Sequence, residues 1–213
     1  KGPILYLNYT SFVRLHSIPV RHGKTIGELA RLFQKERFPK CEIYVMEMEN
    51  YERGMWFDET GLPWVMPSPN MPTLDTAIVY PGMCLFEATN VSEGRGTTRP
   101  FEIFGAPFIQ AERLCKYMNS LKLPGVYFRE NNFQPTFHKG AGQICGGAQI
   151  HVLDRNVFRS FDMAIKLLQY LFHEYPEDFA WKAPPYEYEY EKLPIDILLG
   201  SGTFRKEFIE SGL

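Results

Sequence analysis

Helical and strand-like hydrophobic spacings alternate along this chain, and their interleaving narrows its fold more than any single motif. Thr25 followed three residues later by Glu28 has the form of a capping box, and Ile26, Leu29, Ala30, Leu32 and Phe33 recur behind it at helical spacing. That predicts a helix over 25–35. Cys41 to Met48 sets Ile43, Val45 and Glu47 against Tyr44, Met46 and Met48, the period of a strand. Short strands are expected at 77–80 and 83–87 around a Pro81-Gly82 turn, and again at 125–129 and 148–154. Helices are expected at 111–121, at 161–175 with a stripe of Phe161, Ile165, Leu168 and Phe172, and near 194–199 and 203–211. This order predicts an α/β or α+β fold: a mixed sheet flanked by helices with long ordered loops.

Two stretches carry no period at all. Residues 50–73 are rich in Gly, Pro and Asn and hold Trp56 and Trp64, and residues 89–98 are polar and glycine-bearing; long ordered loops of this kind usually serve function. With 213 residues, no repeat and no low-complexity linker, one domain over 1–213 is expected. The 23 Lys and Arg against 25 Asp and Glu leave a net charge of −2, so no general positive field exists to hold nucleic acid. The apolar runs fall far short of the roughly 18 residues that a membrane span requires. Opening on Lys1-Gly2-Pro3, without Met or a signal segment, the sequence is expected to be part of a longer protein. Four dispersed cysteines read as core thiols and leave the redox compartment open.

The densest polar cluster is Glu87-Ala88-Thr89-Asn90-Val91-Ser92-Glu93-Gly94-Arg95-Gly96-Thr97. Glycines on both sides of Arg95 permit close backbone approach, and a guanidinium grips a carboxylate through two parallel hydrogen bonds, so a bound acid group is expected there. The competing reading is that Glu93 and Arg95 satisfy each other in a rigid turn. Glu87, Glu93 and Glu102 are the candidates for acid/base chemistry, since glycosidic hydrolysis typically uses two carboxylates of different character. His22, ahead of the first helix in Arg21-His22-Gly23-Lys24-Thr25, is expected to be neutral and able to bond a ligand, and it joins the three glutamates as a catalytic candidate. The triplet Gly23-Lys24-Thr25 is no phosphate loop, because Ile18 stands where the first glycine belongs. His138, Cys145 and His151 match no zinc spacing, so neither a metal nor another cofactor is expected.

Longer motifs carry a resemblance. Trp64-Val65-Met66-Pro67-Ser68-Pro69-Asn70-Met71-Pro72, Tyr80-Pro81-Gly82, the Asn90 to Thr97 run, Pro100-Phe101-Glu102 and Gly105-Ala106-Pro107 resemble the bacterial exo-β-N-acetylmuramidase family, glycoside hydrolase family 171. The segments Pro19 to Ala30, Pro135-Thr136-Phe137-His138-Lys139 and Cys145 to Val152 extend the likeness over nearly the whole chain. The resemblance implies an enzyme that removes N-acetylmuramic acid from the non-reducing ends of peptidoglycan fragments. It further implies a cleft between a Rossmann-like first domain and a second α/β domain. On this reading the chain corresponds to the second domain, the first lies outside it as a partner, and the substrate places the protein in the cell envelope. Arg95 is then the expected reader of the lactyl carboxylate. Asn90, Ser92, Asn70, Trp64, Arg21 and His151 are the other candidate substrate contacts. A non-catalytic carbohydrate-binding or docking domain is the alternative.

Overall fold

The computed structural model describes residues 2–210. Where the sequence reads as one domain, the contacts divide the chain into two compact units, residues 21–64 and residues 1–20 with 65–213. No helix among the described residues is long and apolar enough to cross a membrane.

In the smaller unit the capping box forms as expected and opens α1 (Ile26–Arg37). Thr25 Oγ1 accepts from the Glu28 amide at 3.1 Å, and Glu28 Oε2 accepts from the Thr25 amide at 2.9 Å. Arg53 bonds the same carboxylate, and these donors, Arg53 foremost, hold the Glu28 carboxyl down at about 2. The strand expected at 41–48 does not form. Alternation selects a face, but a strand exists only through a ladder partner, and these residues have none among those described. Val45 packs over Gly27 of α1, where an added Cβ would come within 2.6 Å of Val45, while Tyr44 and Met46 are exposed. Residues 50–64 form the expected loop, broken by a single 3-10 turn at Phe57–Thr60.

The larger unit is built on a three-stranded sheet of β1 (Ile103–Ala106), β2 (Val126–Phe133) and β3 (Cys145–Val152), in the order β1-β3-β2. Both pairings are antiparallel, with Gly105 opposite Gly147 and Phe128 opposite Ile150. The α-and-β class expected from the sequence holds. Strand β1 escapes sequence reading because it has four residues, one of them glycine. It forms because its partner is also glycine-rich: a Cβ on Gly147 would lie 1.9 Å from the Phe104 carbonyl oxygen.

The two strands expected at 77–80 and 83–87 are helical instead. Helix α2 (Leu74–Met83) starts at Thr73, whose hydroxyl accepts from the Thr76 amide, and a 3-10 turn continues it over Cys84–Ala88. Pro81 lies inside α2, and the strain on the ladder there is relieved from outside the helix. Ser160 Oγ donates to the Val79 carbonyl and accepts from the Gly82 amide at 2.8 Å. Ser160 opens α4 (Ser160–Glu174), which packs on α2, while α3 (Ala111–Ser120) packs on β2 and β3.

Of the stripe expected on α4, Leu168 is fully buried, while Phe161, Ile165 and Phe172 flank a face centred on Met163, Ala164, Leu167 and Leu171. That face meets Phe86, Phe104, Leu114, Met118 and Phe128 to form one core. Helices α5 (Pro194–Leu199) and α6 (Thr203–Glu210) form at the expected positions, with Ser211 outside the described residues.

Candidate active site

The Glu87–Thr97 segment leaves the 3-10 turn behind α2, crosses beside β1, and folds around a buried set of charges. Glu93 has no exposed side-chain surface. Its Oε1 accepts from Arg95 Nε at 3.0 Å and its Oε2 from Lys139 Nζ at 2.8 Å, while His138 Nδ1 stands 3.4 Å from Oε1. Arg95 Nη2 reaches Glu87 Oε1 at 2.7 Å, and Tyr186 donates its hydroxyl to Glu87 Oε2 at 2.8 Å. Lys139 Nζ also donates to the carbonyls of Phe86 and Val91. Two carboxylates thus face one guanidinium and one ammonium, a balanced set. The Arg95 guanidinium also lies over the Phe101 ring, 5.0 Å from its centroid, and Tyr80 meets that ring edge-on.

Burial and neighbouring charge set the proton affinities here. Burial pulls the Arg95 guanidinium down, but Glu87 and Glu93 outweigh it and its net shift is upward. Burial draws the Lys139 ammonium below the usual lysine value, with Glu93 opposing. Burial first and Glu87 second push the Cys84 thiol up to about 12 and raise the Tyr186 phenol. Tyr80 rises to about 12, chiefly through burial.

The flanking glycines serve this packing. Gly94 has φ +79° and a Cβ there would meet the Ile103 carbonyl oxygen at 2.2 Å; Gly96 has φ +82° and would strike the Phe137 backbone at 2.7 Å. The close approach permitted at Arg95 is therefore to the protein's own β1 and 135–139 loop. Arg95 has its Nε and Nη2 committed to resident carboxylates, the arrangement in which Glu93 and Arg95 satisfy each other.

Glu102 sits in a second constellation. Its Oε1 accepts from Thr76 at 2.6 Å and Thr73 at 3.3 Å, and its Oε2 from Arg99 at 2.9 Å. With Asp75, Arg99, Gln149 and His151 it lines a cleft of about 250 Å³. Arg129 donates to Gln149 at 2.6 Å and approaches His151 Nε2 at 3.4 Å on the neighbouring strand face. Glu102 and His151 are far apart in sequence, and they meet because Glu102 immediately precedes β1, the strand paired to β3.

The remaining candidates have other surroundings. The Asn90 carboxamide is spent on backbone, donating to the Asp178 carbonyl at 2.7 Å and accepting from the Ala180 amide at 3.0 Å. Ser92 is buried and its hydroxyl accepts from the Gly94 amide at 3.2 Å. Asn70 lies in the loop ahead of α2, its amide donating to Ser68. Arg21, His22 and Trp64 belong to the 21–64 unit. There Arg21 lies over the Trp56 ring, His22 Nδ1 accepts from the Lys24 amide, and Trp64 packs edge-on against Phe57. The Trp64 indole nitrogen is buried and has no hydrogen-bond partner among the described residues. No local spacing ties Lys139, Tyr186, Thr76 or Gln149 to Glu87, Glu93 or Glu102, so sequence reasoning does not single them out as site residues; Arg99 stands three residues before Glu102, a local spacing that could have marked it.

The chain has relatives among known proteins. Residues 78–212 match the family model described as Exo-beta-N-acetylmuramidase NamZ, C-terminal. The chain belongs to this family. Residues 1–75 match the NamZ N-terminal model, so the likeness reaches into the first of the two family domains. A Bacillus subtilis (strain 168) protein named peptidoglycan beta-N-acetylmuramidase NamZ is 46% identical over 212 residues, covering 100% of this chain and 49% of that protein. Crystal structures of two DUF1343 family proteins from Bacteroides fragilis NCTC 9343 share the fold of this chain. One has TM-score 0.86 and 30% identity, covering 98% of this chain and 54% of that one; the other has TM-score 0.65 and 26% identity, covering 97% and 53%. The chain spans about half the length of these relatives.

Proposed function

We propose that this chain is part of a peptidoglycan glycoside hydrolase that releases N-acetylmuramic acid from non-reducing ends. The observation that carries the reading is the 46% identity with the Bacillus subtilis protein, over a span that includes both polar constellations. The geometry supports it. A clasped acid-base cluster on one glycine-rich loop and a carboxylate-and-imidazole cleft on the same sheet are the equipment that binding and cleaving a polar sugar call for. In this reading the larger unit supplies the substrate-reading part of a cleft completed by the family's N-terminal domain, and the protein works on cell-wall fragments in the cell envelope.

Arg95 holds that site together. A ligand carboxylate would find only Nη1 uncommitted and would approach two resident carboxylates, so specificity for the lactyl group falls to other residues. The experiment is release of N-acetylmuramic acid from a short chromogenic muramic-acid glycoside, using the chain alone and the full-length protein. Release by the full-length protein supports the reading, and release by the chain alone places the reacting groups within it. No release by either, alongside binding of the glycan, replaces it with a carbohydrate-binding role.

A further inference from the structure

His138 stands apart from the other members of the Glu93 cluster. Glu93 shows no side-chain surface, Lys139 shows 16% and Arg95 24%, whereas His138 is 45% exposed. Each Glu93 oxygen is taken by a cation, and Lys139 spends its ammonium on three internal acceptors. Arg95 keeps only Nη1 uncommitted, beside two resident carboxylates, and Glu93 and Lys139 have no free face for a substrate. The imidazole has one: its Nδ1 is turned to Glu93 Oε1 at 3.4 Å, which leaves Nε2 on the far side of the ring.

The backbone points the same way. Residue 138 has φ +71°, a left-handed conformation that a residue with a β-carbon rarely adopts. In the same loop the other left-handed positions, Gly140 and Gly142, are glycines. The conformation at 138 is imposed from both sides. Thr136 bonds the Gly96 carbonyl through its amide and its hydroxyl, Lys139 is anchored in the cluster, and the Ala141 amide donates to the His138 carbonyl. A strained histidine, held where glycine would fit without strain and presented over a buried carboxylate, is the pattern expected of a functional group.

We infer that His138 is the proton-transfer residue of the glycosidase and that Glu93 is its positioning residue; this rests on the hydrolase reading above. The ring acts as the imidazolium, with Nδ1–H toward Glu93: Nε2–H gives its proton to the glycosidic oxygen as the C1–O bond breaks and the bonding electron pair goes to that oxygen, which leaves neutral imidazole. Water then adds to C1 and its proton returns to Nε2, restoring the imidazolium. Glu93 holds the ring by its Nδ1 side throughout, as a buried carboxylate orients a catalytic histidine elsewhere.

The test uses the full-length protein with two substrates, an unactivated muramic-acid disaccharide and a nitrophenyl muramic-acid glycoside whose leaving group needs little protonation. In His138→Gly, kcat/KM on the disaccharide is expected to fall about a hundred- to ten-thousand-fold. On the aryl glycoside it is expected to fall less than about tenfold, with added imidazole restoring part of the disaccharide activity. The melting temperature should hold or rise, because glycine relieves the left-handed strain. His138→Gln, which keeps the bulk, should show the same split between substrates. Equal losses on both substrates, or an unaffected disaccharide rate, would overturn the assignment while leaving the hydrolase reading intact. A wild-type protein inactive on both substrates would overturn the hydrolase reading and this inference with it.

Discussion

Glu93 is reached by Arg95 from its own loop and by Lys139 from the turn at 138–139, and Arg95 links it onward to Glu87. Such a group is held by mutual satisfaction, so removing one member strands the rest. Among the described residues, Arg95→Ala would leave Glu87 with only Tyr186 as a side-chain partner, and the exposed edge of the cluster softens the penalty. The expected loss is roughly 2–4 kcal/mol, read as a lower urea midpoint with an unchanged m-value. Gly147 makes a steric demand of the same locality. With the Phe104 oxygen 1.9 Å from the site of a Cβ, Gly147→Ala must displace β1. It should destabilise by about 1–3 kcal/mol, and amide exchange should rise first at Ile103–Ala106. The residue types of the Glu87–Thr97 loop are enough to mark it as a polar centre. They do not reveal that the glycines admit β1 and the 135–139 loop, because that depends on what packs against them.

At the scale of elements, the sequence is most legible where the stabilising contacts are local. Thr25 with Glu28 caps α1 through bonds three residues apart, and the periods of α3, α4, β2 and β3 are written within each segment. Helix α2 is the opposite case. Its Ala77-Ile78-Val79-Tyr80 run and its Pro81-Gly82 pair favour strands and a turn, yet the sequence-distant Ser160 supplies the donor and acceptor that let the helix continue. Ser160→Ala removes both bonds and leaves the buried Gly82 amide without its partner. A loss of about 1–3 kcal/mol is expected, with faster exchange of the Gly82 and Met83 amides, and an unchanged melting curve would refute it. The 41–48 segment fails in the other direction: its alternation is clear, and nothing local supplies a ladder.

Across the whole molecule, buried acidic protons set the response to alkali. Cys84 and Cys115 are raised from 9.0 to about 12 and Tyr80 from 10.0 to about 12, mainly by burial. The unfolded chain therefore loses these protons at lower pH than the folded one. Stability should be level up to about pH 8 and fall between about 9 and 12, each group adding up to about 1.4 kcal/mol per pH unit. Urea unfolding under reducing conditions at pH 8, 9.5 and 11 measures this, and Cys84→Ala should make the decline shallower. The α-and-β class, the capped first helix, the loop over 50–73 and the polar Glu87–Thr97 segment are legible in local spacing and composition, and the family resemblance in the longer motifs. The charge cluster is a product of tertiary folding. Lys139 meets Glu93 across 46 positions and Tyr186 meets Glu87 across 99, and such pairs exist only after the core and the sheet register have fixed the path of the chain.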